Sequence, residues 1–248
     1  MPELTNTDNI DAGGSSPTQL TISDLYAGYG EDEVLHGVSL DVRSGELVTL
    51  VGRNGAGKST IMRSIMGVLP RRKGSVKFLG KETISLPPEG IARMGIGYVP
   101  EERGIFSRLS VEENLHLPRV IGTDPVPMDQ ILELFPNLKE RMGSPGTKLS
   151  GGEQQMLAIA RVLRTGARFL LLDEPTEGLA PVIVQQIGRT IAALKKIGFT
   201  ILLVEQNVHF ASSVTDRYFV IEEGHVVEQL PRLETAAAVA QLDRYLGI

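Results

Sequence analysis

A glycine-rich loop between an apolar segment and a helical segment is the feature that most constrains how this chain folds. The loop runs from Gly52 to Thr60 and fits the pattern G-x-x-x-x-G-K-[ST]. The apolar run Leu47 to Val51 precedes it, and Thr60 to Met66 has the pattern of a helix. Glycine lets backbone N–H groups turn inward, where they bind phosphate oxygens at the start of a helix. The sequence therefore predicts a strand, a phosphate-binding loop and a helix, in that order.

Two side chains of this loop have the chemistry to bind a nucleoside triphosphate. Lys58 supplies a positive charge for the β- and γ-phosphates, and the Ser59 hydroxyl can bind Mg²⁺. A plain glycine-rich turn is the alternative, and the setting between a strand and a helix argues against it. The residues expected to contact the nucleotide here are Gly52, Arg53, Asn54, Gly55, Ala56, Gly57, Lys58, Ser59 and Thr60.

Length and composition exclude several classes of protein. A chain of 248 residues is long enough for one large domain, or for a core with a small subdomain. A net charge of −5 does not fit a large nucleic-acid interface, so we expect no nucleic-acid partner. The absence of cysteine excludes disulfides and thiolate metal sites.

The sequence contains no apolar run of the length that spans a bilayer. Residues 1–17 are polar and lack the charged and apolar regions of a secretory signal, so we predict a flexible N-terminal tail. We therefore expect a cytoplasmic protein whose membrane role, if any, depends on partner subunits.

Alternating strands and helices predict an α/β fold with a mainly parallel sheet. Predicted strands cover 20–22, 34–42, 47–51, 75–79, 96–99, 169–173 and 200–204, followed by a hairpin of 218–221 and 225–228. Predicted helices cover 60–66, 111–117, 128–134, 150–163, 181–197, 208–215 and 233–246. Five prolines interrupt the stretch from about 101 to 148, which we predict to be a helical subdomain inserted in the core. The basic cluster Arg71 to Lys73 is interpreted as a solvated turn.

An acidic pair follows the most apolar of the predicted strands. Asp173 ends the run Phe169 to Leu172, where a carboxylate can hold Mg²⁺ through a water molecule opposite the phosphate loop. Glu174 comes one residue later and could orient or deprotonate the attacking water. Solvated loop carboxylates are the alternative, which the preceding apolar run and the phosphate loop disfavour.

The segment Leu149 to Gln155, here called the signature segment, points to one family. It predicts a capped helix start, with Ser150 as the cap and Glu153 three residues later. The run also resembles the LSGGQ signature of ABC ATPases, with Glu153 where the family more often has Gln. Phosphate loop, signature segment and acidic pair follow one another in the order and spacing of that family.

The resemblance to ABC ATPases covers nearly the whole chain and carries implications for fold and site. It implies a P-loop NTPase fold over residues 18–248, with a mainly parallel core, an N-terminal antiparallel β subdomain and the inserted helical subdomain. It implies ATP and Mg²⁺ as ligands, and a head-to-tail dimer in which Ser150, Gly151, Gly152 and Glu153 serve the partner's nucleotide. It also places Tyr29 against adenine, although an ordinary core or surface tyrosine remains the alternative.

Two positions depart from the common family pattern. Glu101 stands where most members have a Gln, and Gln206 stands where most have a His. Gln206 can hydrogen-bond a γ-phosphate but cannot carry charge, so we assign it to the catalytic group. Glu101 is a candidate metal ligand, or it only transmits motion. These changes leave open a scaffold that binds ATP but hydrolyses it poorly, although Lys58 and Glu174 are both present.

Four segments resemble one subgroup, the shorter ATPase of bacterial branched-chain amino-acid importers: 98–106, 109–115, 177–181 and 204–207. This resemblance implies a second ATPase subunit in a heterodimer, or a homodimer in isolation. It also implies two membrane-spanning permeases, an external solute-binding protein, and a peripheral position on the cytoplasmic side of a bacterial plasma membrane. Urea and short-chain amide importers share much of the pattern, and close relatives serve other amino acids and small carboxylates. The segment 102–117 is expected to dock a permease or to be ordinary exposed surface, and a soluble ABC regulator is a further alternative.

Overall fold

The computed structural model describes residues 16–122, 125–233 and 242 of the chain. The predicted tail lies almost wholly outside these residues, and so does the predicted helix 233–246 apart from its first residue and Leu242. The strands described are β1 (Thr18–Tyr29), β2 (Asp32–Arg43), β3 (Leu47–Val51), β4 (Arg71–Phe78), β5 (Lys81–Glu82), β6 (Ile96–Val99), β7 (Phe169–Asp173), β8 (Thr200–Val204), β9 (Arg217–Glu222) and β10 (His225–Pro231). The helices described are α1 (Lys58–Ile65), α2 (Pro88–Arg93), α3 (Val111–His116), α4 (Met128–Leu134), α5 (Pro136–Glu140), α6 (Gly151–Arg164), α7 (Pro181–Lys196) and α8 (Val208–Val214), with a 3₁₀ turn at Gly146–Lys148.

A six-stranded sheet forms the centre of the fold, in the order β10-β9-β3-β8-β7-β6. Strands β9, β3, β8, β7 and β6 run parallel, and β10 is antiparallel to β9. Every residue of β3, β7 and β8 is buried, as expected for strands covered on both faces. Their carboxyl ends meet at one edge, and the predicted mainly parallel core is confirmed.

A second, antiparallel sheet has the order β2-β1-β4-β5. This confirms the predicted N-terminal antiparallel unit. The prediction of a solvated turn at Arg71 to Lys73 was wrong, because these residues begin β4. Arg71 pairs with Gly28 and Arg72 with Ala27 of β1, a long-range pairing that a local pattern does not reveal.

Apolar side chains pack into two large clusters, one on each face of the central sheet. The first joins the antiparallel sheet and α1 to the sheet, with Leu25, Ile61 and Phe219 among its members. The second packs α3, α5, α6 and α7 against the sheet, with Leu115, Leu157 and Ile191 among its members. Among the residues described, no helix is long and apolar enough to cross a bilayer.

Candidate nucleotide-binding site

The phosphate loop leaves β3 and enters α1 through backbone that only glycine adopts readily. Gly57 precedes the first turn of α1 with φ of 108°, and Gly52 has φ of 151°. A Cβ at Gly52 would lie 2.1 Å from the carbonyl oxygen of Ile221, and one at Gly57 would lie 2.8 Å from Leu35. These two glycines therefore let the loop pass close to β9 and β2, in a backbone conformation that can turn N–H groups toward a phosphate.

Lys58 is buried beneath the loop. Its ammonium donates to the carbonyl oxygens of Gly52 at 2.8 Å and Arg53 at 3.0 Å, and lies 3.9 Å from Glu174 Oε1. Burial lowers the pKa of Lys58, and the carboxylates of Glu174, Asp173 and Glu177 oppose that shift. The ammonium is thus held by groups that phosphate oxygens can replace.

Asp173 joins the phosphate loop to the end of β7. Its Oδ1 accepts from the Ser59 hydroxyl at 2.9 Å, and its Oδ2 accepts from the Tyr98 hydroxyl at 3.0 Å. Burial raises the pKa of Asp173, and these two hydrogen bonds oppose the rise.

The donor atoms of Ser59 and Asp173 fit Mg²⁺, which prefers hard oxygen ligands and usually keeps few protein ligands beside phosphate and water. No group of three or more acidic or histidine side chains in the described ranges forms a protein-only metal cage. This pair is therefore suited to a cation that phosphate oxygens share.

Glu174 follows Asp173 in the left-handed region, with φ of 46°. Its N–H donates to the carbonyl of Val204 at 3.0 Å, which ties it to β8. Its Oε2 accepts from Gln206 Nε2 at 2.6 Å. A non-glycine residue at positive φ is strained, so the fold holds this carboxylate in one place beside Lys58.

Most of the predicted site residues line one cleft of about 460 Å³. The cleft lining consists of Tyr29, Val34, Asn54, Gly55, Gly57, Lys58, Ser59, Thr60, Glu101, Glu174, Glu177 and Gln206. Four residues of the signature segment, Ser150 to Glu153, are not in this lining. The structure therefore brings Tyr29, Glu101 and Gln206 to the phosphate loop, but the signature segment does not line the same cleft.

Tyr29 is 42% exposed at the rim of the cleft. Its hydroxyl accepts from Arg63 Nη1 at 3.2 Å, while Nη2 of the same guanidinium lies 3.3 Å from Glu102. Tyr29 is therefore an exposed aromatic side chain in the cleft lining, of the kind that can stack on a flat ligand. Glu101 is exposed on the loop after β6 and lines the same cleft.

The signature segment forms the predicted capped start of α6. The Ser150 hydroxyl accepts from the Glu153 N–H at 3.3 Å, and the Glu153 carboxylate accepts from the Ser150 N–H at 2.7 Å. Gly152 packs so closely on α7 that a Cβ would lie 2.6 Å from Ile183. The capped start leaves other N–H groups of the first turn without intrahelical partners, as every helix does.

Four residues without a predicted role lie in or beside the site. Tyr98 and Arg63 form the hydrogen bonds described above. Glu177 lines the cleft, and its hydrogen bond with Glu174 is the main cause that raises its pKa to about 6. Glu205 is buried and accepts from Thr176, Gln206 and Asn207, so it connects the loops after β7 and β8. Their positions next to the motifs were visible in the sequence, but the strand order that brings them together was not.

Known proteins share both the sequence and the fold. The family model described as ABC transporter matches residues 35–177. BraG of Pseudomonas aeruginosa, a high-affinity branched-chain amino acid transport ATP-binding protein, is 47% identical over 227 residues, 88% of this chain and 95% of BraG. The probable branched-chain amino acid transport ATP-binding protein LivF of Archaeoglobus fulgidus is 39% identical, over 82% of this chain and 87% of LivF. LptB of Escherichia coli, a lipopolysaccharide export system ATP-binding protein, is 37% identical, over 84% of this chain and 88% of LptB.

Solved structures agree with these sequence matches. A nucleotide-free ATP-binding cassette from an ABC transporter has a TM-score of 0.80 at 24% identity, covering 92% of this chain and 97% of the cassette. An ATP-binding subunit of an ABC transporter has a TM-score of 0.77 at 26% identity, covering 91% of this chain and all of that subunit. Given the phosphate loop, the acidic pair, the signature segment and these matches, the chain belongs to the ABC transporter family of ATP-hydrolysing, ATP-binding subunits.

Proposed function

We propose that this chain is the ATP-hydrolysing motor of an importer for branched-chain amino acids. The observation that carries the proposal is the match to BraG, which extends over nearly the full length of both proteins. The match to LivF supports the same class of solute. Glu101 and Gln206, which are part of the resemblance to the same subgroup, both line the candidate cleft.

In the proposed reaction, Lys58 and the loop N–H groups hold and align the β- and γ-phosphates. The Ser59 hydroxyl and Asp173 would hold Mg²⁺, with Glu101 as a further candidate ligand. When bound, Mg²⁺ neutralises charge that develops on the transferred phosphoryl group. Glu174 accepts a proton from the attacking water, and Gln206, 2.6 Å from Glu174, keeps that carboxylate in place and can reach the γ-phosphate. Tyr29 stacks on the adenine.

The chain is proposed to work as a head-to-tail dimer. Because Ser150 to Glu153 do not line the cleft of their own chain, they are free to serve ATP bound to a partner. The start of α6 suits that task, since free N–H groups at a helix start favour a phosphate anion. A second, related ATPase would complete the pair in the transporter, and a second copy of this chain would do so in isolation.

Contact with permeases is proposed on the stretch between β6 and α6. This stretch holds α3, α4 and α5, and we propose it as the helical subdomain, inserted in a domain that spans residues 18–248. Phe106 and Leu117 are 46% and 52% exposed on the segment 102–117, which offers apolar contact to a membrane subunit. The chain would then lie on the cytoplasmic side of the membrane, and a solute-binding protein would act outside without touching it. No nucleic-acid partner is proposed.

A different transported solute is the main alternative. The LptB matches, at 37% identity, show that sequences this similar also serve lipopolysaccharide export. Importers of urea or short-chain amides are a further alternative, because the ATPase itself does not touch the solute.

Purification of the tagged Glu174→Gln chain from its native membranes tests the proposal. The Lys58→Ala chain, which lacks the charge proposed to hold phosphate, is purified in parallel. We expect two multi-spanning permeases and a longer ATPase to copurify, and the associated binding protein to bind leucine, isoleucine or valine in calorimetry. Recovery of lipopolysaccharide-export subunits, or of a binding protein that takes only urea or amides, would rule out branched-chain amino acids as the transported solute. Recovery of ribosomes or nucleic-acid factors without a permease would overturn the transporter role.

A further inference from the structure

Tyr98 touches the metal-binding end of the site although it belongs to no nucleotide-binding motif. It lies in β6, next to β7 in the parallel sheet, where it pairs with Leu171. The side chain is half-buried, and its hydroxyl donates to Asp173 Oδ2 at 3.0 Å. One carboxylate oxygen of Asp173 therefore accepts a hydrogen bond from Tyr98, and the other accepts one from Ser59.

Each carboxylate oxygen of Asp173 is held by a different hydroxyl. The Ser59 hydroxyl donates to Oδ1, and it can bind Mg²⁺ through a lone pair of its oxygen while keeping that hydrogen bond. The Tyr98 hydroxyl holds Oδ2 from a strand that belongs to no nucleotide-binding motif. Because a carboxylate held at both oxygens cannot rotate freely, the bond from Tyr98 fixes the rotation of the Asp173 carboxylate.

Arg63 lies beside Tyr98. Its guanidinium is close enough to the Tyr98 hydroxyl to interact with it electrostatically, and it donates to the Tyr29 hydroxyl at 3.2 Å. A neighbouring cation makes a hydroxyl a stronger donor, so the bond from Tyr98 to Asp173 is strengthened.

We propose that Tyr98 is a positioning residue for Mg²⁺, which orients Asp173 from outside the coordination shell, with Arg63 supporting it. The inference rests on the proposed use of Ser59 and Asp173 as the cation site. Partners that hold a metal ligand in place commonly contribute about 10- to 100-fold to metal affinity. A purely structural role in β6 would instead change stability and leave cation affinity alone.

Cation binding to Tyr98→Phe separates these two roles. Tyr98→Phe keeps the ring and removes only the hydroxyl, and Tyr26→Phe, at an exposed tyrosine of β1, is the matched control. The probe is Mn²⁺, titrated by electron paramagnetic resonance against each protein with a slowly hydrolysed ATP analogue. Affinity for the analogue is measured separately in EDTA.

We expect Tyr98→Phe to raise the Mn²⁺ dissociation constant about 10- to 100-fold, with analogue affinity in EDTA and melting temperature unchanged. Tyr26→Phe should match the wild type in every measurement. Equal Mn²⁺ affinity in folded Tyr98→Phe and in the wild type would overturn the positioning role of Tyr98 and leave the proposed cation site standing. Wild type that binds the analogue no better with Mn²⁺ than in EDTA would instead count against the proposed cation site.

A second variant covers the case in which Tyr98→Phe does not fold. Arg63→Met leaves Tyr98 in place but removes the cation that strengthens its hydrogen bond. It should weaken Mn²⁺ binding by less than Tyr98→Phe but measurably, whereas unchanged Mn²⁺ affinity in this variant would contradict the inference.

Discussion

At the scale of residues, the cleft gathers the buried ammonium of Lys58 and several carboxylates around the space proposed for the phosphates. Lys58 has a pKa lowered by burial, and Glu177 has a pKa raised to about 6, chiefly by its hydrogen bond with Glu174. Asp173 and Glu101 add further negative charge. ATP brings more negative charge into this cleft, so we expect strong binding to need a divalent cation that neutralises part of it.

Glu174→Gln should abolish turnover without abolishing ATP binding. The change keeps the shape of the side chain and its place beside Gln206 but removes the proposed base for the attacking water. We expect a fall of about 10²- to 10⁴-fold in the rate of phosphate release, measured in single turnover. Glu228→Gln, on β10 and outside the cleft lining, is the control and should hydrolyse normally. A Glu174→Gln variant with near-normal turnover would remove Glu174 from the proposed mechanism.

Gly52→Ala should destabilise the whole chain because the loop passes too close to β9. A Cβ there would lie 2.1 Å from the Ile221 carbonyl, on backbone with φ of 151°. We expect a loss of about 2 kcal/mol or more in the free energy of unfolding, measured by urea denaturation. Gly143→Ala is the control, since a Cβ at Gly143 meets nothing within 4 Å. Equal stability of the two variants would contradict the observed path of the loop.

At the scale of elements, α3 and α6 begin with the same capping box but are proposed to have different tasks. Ser110 and Glu113 cap α3, and Ser150 and Glu153 cap α6. Both arrangements satisfy N–H groups at a helix start, so they should stabilise the fold to a similar degree. The start of α6 is also proposed to bind the partner's nucleotide.

Ser110→Ala and Ser150→Ala should therefore be alike in stability and different in activity. Each should lose about 1 kcal/mol of unfolding free energy in thermal denaturation. ATP hydrolysis at high protein concentration should fall in Ser150→Ala and stay near the wild-type rate in Ser110→Ala. If both variants keep full activity, the signature segment does not serve the partner's nucleotide through Ser150.

The elements that the sequence predicts well are those set by local pattern. The strand, loop and helix around Lys58 and the apolar run of β7 are visible because each is contiguous along the chain. The basic start of β4 was missed because only its pairing with β1 makes it a strand. Tyr98 was missed as a partner of Asp173 for the same reason, since the adjacency of β6 and β7 depends on strand order.

At the scale of the whole molecule, one arginine ties the two sheets together. Arg217 of β9 donates to the Asp41 carboxylate of β2 at 3.0 Å and to Glu46 at 2.8 Å. Its own side chain is only 11% exposed. Arg217 begins β9 and is level with Val48 of β3, so it joins the two sheets at the end opposite the phosphate loop.

Arg217→Met should destabilise the fold by roughly 2 kcal/mol, because Asp41 and Glu46 both lose their partner. Asp41 is 36% exposed, so water screens part of that loss. Arg43→Met is the control, since Arg43 is half exposed and 3.9 Å from Asp41. It should change stability by about 0.5 kcal/mol or less. Urea unfolding of both variants gives the comparison, and equal losses would show that Arg217 has no special role between the sheets.

Uptake of radiolabelled leucine by cells tests the proposed role in amino-acid import. Cells that lack this chain would be complemented with the wild type or with Glu174→Gln, produced at equal levels. We expect uptake to be lost on deletion, restored by the wild type and not restored by Glu174→Gln. Unchanged leucine, isoleucine and valine uptake after deletion, or full restoration by Glu174→Gln, would contradict the proposed role.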